Sequence, residues 1–222
     1  MDGRPDSALG LSTEDLSSLR AHVEGYLAED DVLLGARAAA ERLGCPPVGP
    51  GAGAGLRFLA ATISARAVVE IGTGAGVSGL WLLRGMSQDG VLTSIDMDPE
   101  IQRAARGAFL AAGHPSSRLR LINGMGLEVL PRLTDGGYDL VFVDAEPTDY
   151  PRYLDQAVRL LRIGGMVVLG GVLGHRAIDP EVTDPDTSAV REVARQARED
   201  DRLAPILLPL SDGLLAAVKT SS

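Results

Sequence analysis

Residues Val68 to Gly79 read Val-Val-Glu-Ile-Gly-Thr-Gly-Ala-Gly-Val-Ser-Gly, and their types and spacing suit a nucleotide-cofactor site. Val68, Val69 and Ile71 form a β-branched run, the composition of a buried parallel strand. The glycines that follow let the backbone turn sharply and approach a ligand with no Cβ in the way. The pattern becomes helical through Leu80, Trp81, Leu82 and Leu83, so the loop opens a helix whose free N–H groups face the same crevice. A dinucleotide fingerprint, G-x-G-x-x-G, starts at the strand end. Here Gly72-Thr73-Gly74-Ala75-Gly76 is G-x-G-x-G, with Val77 in place of the third glycine; a match from Gly74 through Gly76 to Gly79 starts two residues late. Glu70, one residue before the strand's end, would repel a pyrophosphate and suits a cationic ligand such as a sulfonium amino acid. A nicotinamide dinucleotide is the alternative.

Ligands of open parallel sheets sit at the carboxyl ends of the strands, so the polar residues there are the next candidates. Asp96 ends a strand roughly 20 residues past the glycine loop, where a carboxylate accepts both ribose hydroxyls of either cofactor. Met97 beside it suits an adenine face, and Asn123-Gly124-Met125-Gly126 offers small residues and N–H groups to the adenine edge. Asp144 ends a fourth, wholly apolar strand next to the expected reaction centre. Asp98, followed directly by Pro99, reads as a helix N-cap. For a proton acceptor, Asp144 is one candidate and His175 another. His175 lies just past the fifth strand, and an imidazole titrates near neutral pH; a solvated loop histidine is the alternative. Tyr150 and Tyr153 lie three apart on one predicted helix.

These residues need a scaffold of alternating strands and helices. Helices are predicted from Ser12 or Thr13 toward Asp30, over Val32–Leu43, and over about Gly53–Ser64, with Cys45 to Gly51 as a loop. Strands follow at Val91–Ile95, Leu119–Ile122, Leu140–Val143 and Met166–Leu169, the last preceded by a Gly164-Gly165 turn. Helices are predicted from Asp98-Pro99 to Gly113 and over Gly126–Leu133, Tyr150–Leu161 and Ser188–Arg198. Ile206–Leu210 and Leu214–Val218, joined at Ser211-Asp212-Gly213, read as a hairpin. The expected fold is α/β and Rossmann-like, a mostly parallel sheet ending in an antiparallel hairpin. It forms one domain over residues 1–222, with 1–11 disordered and 12–64 a helical lid.

Composition narrows the partners. The net charge of −9 argues against nucleic acid or an anionic membrane. No apolar run reaches the roughly 18 residues of a membrane span, and the basic-then-apolar layout of a signal peptide is missing. Cys45 is the only cysteine, which excludes intrachain disulfides and multi-thiolate zinc sites. A cytoplasmic enzyme is the expectation. Lys219 is the only lysine, so no lysine is available as a general base in the body of the chain.

The glycine loop with Glu70 resembles motif I of the class I S-adenosylmethionine (SAM) methyltransferases, which also append an antiparallel last strand. The chain as a whole resembles the catechol and caffeoyl-CoA-type O-methyltransferases, in particular their small bacterial members, from about Pro47 to Lys219. The likeness rests on Val-Glu-Ile-Gly-Thr-Gly-Ala-Gly-Val-Ser, Ile-Asp-Met-Asp-Pro-Glu, Phe-Val-Asp-Ala-Glu-Pro-Thr-Asp-Tyr-Pro-Arg-Tyr and Leu-Leu-Arg-Ile-Gly-Gly. The resemblance implies SAM as cofactor, with S-adenosylhomocysteine (SAH) as product. It implies that Glu70 holds the methionine amino end, Gly72, Thr73 and Ser78 the carboxylate side, and Asp96 the ribose, with Gly74 of the same loop also at the cofactor. Val48 then closes over the cofactor, Met97, Gly124 and Met125 flank the adenine, and a homodimer is expected. The family usually reads Asp-Ala-Asp-Lys after the fourth strand and Asp-Asn after the fifth, residues that hold a divalent cation and supply a lysine. Here Asp144 is kept, Pro147 replaces the lysine, and Gly170-Gly171 replaces Asp-Asn. Magnesium needs oxygen ligands in near-octahedral order, so no catalytic metal is expected. The expected activity is methyl transfer to a hydroxyl of a small or carrier-linked acceptor. A catalytically degenerate SAM-binding protein is the alternative. The acceptor pocket is expected from the lid, Ala145–Asp149 and the 170–179 loop.

Overall fold

The computed structural model describes residues 12–174, 177 and 179–222, so the expected disorder of residues 1–11 and the position of His175 lie outside the described residues. The elements run α1 (Thr13–Glu24), α2 (Asp31–Leu43), α3 (Pro50–Thr62), β1 (Ala67–Ile71), α4 (Val77–Gly85), β2 (Val91–Asp96), α5 (Pro99–Ala111), β3 (Leu119–Asn123) and α6 (Gly126–Val129). Then follow β4 (Tyr138–Val143), α7 (Tyr150–Leu160), β5 (Leu161–Gly170), α8 (Pro185–Glu199), β6 (Leu203–Leu208) and β7 (Leu214–Lys219). The seven strands form one sheet in the order β3-β2-β1-β4-β5-β7-β6, parallel except for β7, which runs antiparallel to both β5 and β6. The α/β architecture with a closing antiparallel hairpin is therefore as the sequence predicts.

Strand alternation divides the core between the two faces. Val68, Leu140, Phe142 and Val168 face a cluster with Leu33, Leu56, Leu80, Trp81 and Phe109, from α2, α3, α4 and α5. Val69, Ile71, Val141, Val143, Val167 and Leu169 face the other way, against Tyr153, Leu154, Val158, Val190 and Val193 of α7 and α8. The lid helices α2 and α3 thus belong to one of the two covering layers.

Several boundaries differ from expectation: α1 ends at Glu24, short of Asp30, α6 ends at Val129, short of Leu133, α8 begins at Pro185, before Ser188, and β6 spans Leu203–Leu208 in place of Ile206–Leu210. Helix α3 begins at Pro50, three residues before Gly53. Proline's fixed φ suits a first helical position, and the orphan N–H of Gly51 donates to a carboxylate oxygen of Glu24, at the end of α1, at 2.8 Å. Strand β5 starts at Leu161, not Met166. Tyr138 pairs with Leu161 and Leu140 with Met166, so Arg162 to Gly165 form a bulge inside the strand, pinned where Arg162 donates to Asp139 at 2.7 Å.

Candidate functional site

A cleft of about 500 Å³ opens at the carboxyl ends of β1, β2, β3 and β4. Strand order reverses at β1, and the crevice lies where such sheets place ligands. Gly72 shows why the sequence is glycine-rich here. Its φ is +92°, and a Cβ on it would stand 1.9 Å from the carbonyl oxygen of Asp144 on the neighbouring strand end. No side chain caps α4, so its first N–H groups stay open where Val77 and Ser78 reach the cleft.

The polar side chains on the wall formed by β1, β2 and β3 have partners within the protein. Asp96 is held by its own surroundings: one carboxylate oxygen accepts from Gly74 N at 3.0 Å, the other from Asp98 N at 2.9 Å. Asp98 also caps α5, as predicted, accepting from the N–H groups of Glu100 and Ile101. Met97 and Met125, 70% and 53% exposed, flank the mouth, with Gly124 between strand and helix. Val48 closes the cleft from the lid side, together with Cys45, Pro46 and Pro47.

Glu70 is the exception. It is fully buried and does not line the cleft, because the strand's period of two turns its side chain under α4 and α5. Its two oxygens accept from Ser78 Oγ at 2.7 Å and Ser94 Oγ at 2.6 Å. Thr73 Oγ1 lies 2.7 Å from Ser94 Oγ, and Gln102 Nε2 reaches Thr73 Oγ1, Ser94 O and Ile122 O at 3.4, 3.3 and 3.1 Å. With Ser94 donating to Glu70, Thr73 donates to Ser94, and a chain of donors ends on one carboxylate. Burial still pushes the Glu70 carboxyl up to about 7 against the pull of both serines.

The opposite wall comes from the end of β4 and the start of α7: Asp144, Ala145, Glu146, Asp149 and Tyr153. Asp144 is half-buried, and burial, with the nearby Asp212 carboxylate second, raises its carboxyl to about 6. Tyr150 is turned away, donating to Gly170 O at 2.9 Å. A Cβ on Gly170 would stand 3.0 Å from Asp144 Oδ1. Among the described residues, no group of three or more His, Cys, Asp or Glu is placed to hold a metal ion. One strand-end carboxylate beside two glycines does not fit a divalent cation's demand for several oxygens.

The structure therefore brings Val48, Gly72, Thr73, Gly74, Ser78, Asp96, Met97, Gly124, Met125 and Asp144 to one cleft and leaves Glu70 one layer beneath it. Ala145, Glu146 and Asp149, from a segment expected to line the acceptor pocket, line this cleft. The 170–179 loop does not, among its described residues. Leu173 N and Gly174 N donate to Asp212 O at 2.8 and 3.0 Å, which folds this segment onto the β6–β7 turn instead. Sequence reasoning did not single out Cys45 and Pro46 as lining residues, though their place just before Val48 carried the signal.

The family model described as O-methyltransferase matches residues 34–220. A probable O-methyltransferase of Mycobacterium tuberculosis H37Rv is 53% identical over 220 residues, covering 99% of this chain and 96% of that one. An O-methyltransferase of Mycobacterium ulcerans is 55% identical over 202 residues, 90% of each chain. Among solved structures, a Corynebacterium glutamicum protein superposes with a TM-score of 0.86 at 33% identity, covering 93% of this chain and 98% of that one. The O-methyltransferase TomG of Streptomyces achromogenes, involved in tomaymycin synthesis and solved with SAM, superposes with a TM-score of 0.81 at 30% identity, covering 92% and 96%.

Proposed function

The chain belongs to the O-methyltransferase family, and from that premise we propose that it transfers a methyl group from SAM to a hydroxyl of a small acceptor without a catalytic metal. The observation that carries the reading is Asp96. It is a strand-end carboxylate already oriented by two backbone N–H groups, between an uncapped helix start and two exposed methionines. That donor and acceptor set fits SAM: Asp96 for the ribose hydroxyls, Met97, Gly124 and Met125 around the adenine, and Gly72, Thr73, Gly74 and Ser78 for the methionine end. Val48 closes the cleft. Glu70 works one layer back, accepting from the Ser78 hydroxyl and so orienting it beneath the methionine end. When bound, SAM supplies an electrophilic methyl group and leaves as neutral SAH.

Asp144 accepts the acceptor's hydroxyl proton. A carboxyl raised to about 6 is ionised at neutral pH yet more basic than a solvated one. Holding the hydroxyl in line and excluding water supply the rest of the acceleration. His175, the other candidate base, lies outside the described residues.

Residues 12–64 act as the lid of a single domain in this reading. Among the described residues, no helix is long and apolar enough to cross a membrane, and the reading includes a cytoplasmic location. It also includes a homodimer. Exposed Tyr26, Phe58 and Ile206 surround an apolar groove of about 620 Å³ between α1, α3 and the edge strand β6, and an apolar sheet edge needs a cover. Sedimentation showing only monomer at micromolar concentration removes that part.

The deciding experiment is calorimetric titration of metal-stripped protein with SAH. Micromolar-range binding without added metal is expected; no binding by folded protein overturns the reading.

A further inference from the structure

Helix α1 is exposed along its length, and Glu24, its last residue, is the one position in it that is half-buried. The Glu24 carboxylate reaches into a crowded junction. One oxygen accepts from Gly51 N at 2.8 Å and the other from Ser211 N at 2.7 Å, and Ser211 Oγ lies 3.1 and 3.0 Å from the two. Ser211 Oγ in turn accepts from Ala52 N at 3.1 Å. Helix α3 has no side-chain cap of its own, Pro50 carries no N–H, and Gly53 N is taken by Gly49 O. Glu24 and Ser211 therefore satisfy the Gly51 and Ala52 donors of α3 from 27 and 159 positions away. The backbone is shaped to admit the pair. A Cβ on Gly49 would stand 2.3 Å from Ser211 Oγ, and one on Gly51 2.6 Å from Glu24 Oε1. Ser211 has a φ of +52°, a left-handed conformation that glycine adopts more easily. A serine there supplies the hydroxyl that glycine lacks.

The junction fixes the stretch just before α3, where Cys45, Pro46, Pro47 and Val48 line the cleft. We propose that Glu24 and Ser211 are positioning residues that hold the 45–48 segment closed over the cofactor, by clamping the start of α3 to the β6–β7 turn. The inference rests on the methyltransferase reading for the cofactor's identity and adds two residues that do not themselves line the cleft. The far end of the clamp is firm: Asp212 O, next to Ser211, accepts from Leu173 N and Gly174 N. The near end is releasable, since α1 buries no side chain and is joined to the turn by Glu24 and by Arg20, which donates to Ser211 O at 2.6 Å. A surface helix held by a few polar bonds opens at a lower free energy than the packed layers do, which suits a segment that must let a cofactor in and out.

Cys45 reports on the segment directly. It is the only cysteine, it is half-buried, and its Sγ lies 3.6 Å from Ala40 O. The full chain is labelled with a thiol-reactive maleimide, and its SAH affinity is measured by calorimetry. Glu24→Ala removes the carboxylate, Glu24→Gln keeps one acceptor oxygen, and Ser211→Gly keeps the backbone conformation but loses the hydroxyl. Glu24→Ala and Ser211→Gly are expected to speed labelling of the free protein and to weaken SAH binding, each by about tenfold, the effect of one lost hydrogen bond to a charged group. Glu24→Gln is expected between them and the wild type. Val193→Ala opens a cavity in the core under α8, away from the cleft lining, and is expected to leave both readouts at wild-type values. Wild-type labelling in Glu24→Ala and Ser211→Gly, faster labelling with SAH affinity unchanged, or equal changes in Val193→Ala overturns the positioning role. Failure of the wild type to bind SAH overturns the methyltransferase reading instead, while the labelling rates still decide whether the two residues hold the segment.

Discussion

The two walls of the cleft differ in how completely they are finished without a ligand. On the β1–β2–β3 wall the polar side chains have partners: Asp96 is held by Gly74 N and Asp98 N, Ser78 by Glu70, and Thr73 by Ser94 and Gln102. On the β4–α7 wall the side chains of Asp144 and Glu146 stand without hydrogen-bond or ion-pair partners among the described residues. In the proposed reading the first wall is a preorganised receptor for the cofactor. The second, in the same reading, is completed by the acceptor; Pro147, one of the departures from the pattern the sequence resembles, lies in the segment that follows Asp144, and Gly170 at the end of β5 stands beside it. Preorganisation marks the shared step, and unmet charge marks the specific one.

The sharpest way to break this contrast is Asp144→Asn. If Asp144 is the proton acceptor, kcat falls by roughly 100-fold or more, while calorimetry finds SAH affinity within a few-fold of the wild type. For the unaltered enzyme, kcat/KM rises with pH and levels above about 6, where the carboxylate is ionised. A flat profile between pH 5 and 7.5 removes Asp144 from that role. On the other wall, Asp96→Ala deletes two charge-assisted hydrogen bonds, together about 3 kcal/mol, and weakens SAH binding by about 100-fold. An unchanged dissociation constant would mean the wall is not the cofactor's.

A gain of function sharpens the comparison from the other side. Gly170→Asp with Gly171→Asn places a second carboxylate beside Asp144 Oδ1, since a Cβ at position 170 already lies 3.0 Å from it. Asparagine tolerates the φ of +70° at position 171. The double variant should bind magnesium about tenfold or more tightly than the parent, read by titration; tight magnesium binding by the parent contradicts the metal-free reading.

The smallest effect belongs to Glu70. Its carboxyl is raised from 4.5 to about 7 in the folded protein, so the folded state holds that proton more tightly than the unfolded chain does. Its contribution to stability is therefore greatest below pH 4.5, falls as the pH rises through about 7, and is constant above. Thermal unfolding of Glu70→Gln should show a smaller decline between pH 5 and 8 than the wild type. Equal declines contradict the shift.

How much of this was legible in the chain can be judged residue by residue. Asp98 followed by Pro99 gave the start of α5 because a cap is a local contact within three residues. The strand order could not be read locally, but β-branched runs alternating with helices implied a parallel sheet, and Asp212-Gly213 between apolar runs implied the closing hairpin. Glu70 was misplaced for a reason also present in the sequence: it shares its strand face with Val68, so it points under α4 and not into the cleft. The start of α3 was missed because the N–H of Gly51 is held there by Glu24, 27 positions away in the chain.

The sequence by itself determined the secondary elements, the glycine loop and the candidates at strand ends, because periodicity, capping and turn chemistry act over a few residues. Only the tertiary structure decided which carboxylates are satisfied and which are not. Partnership depends on contacts such as Asp96 with Gly74, or the nearness of Asp212 to Asp144, which join residues remote in the chain, and burial, which sets the energy of a charge, exists only once the layers have closed.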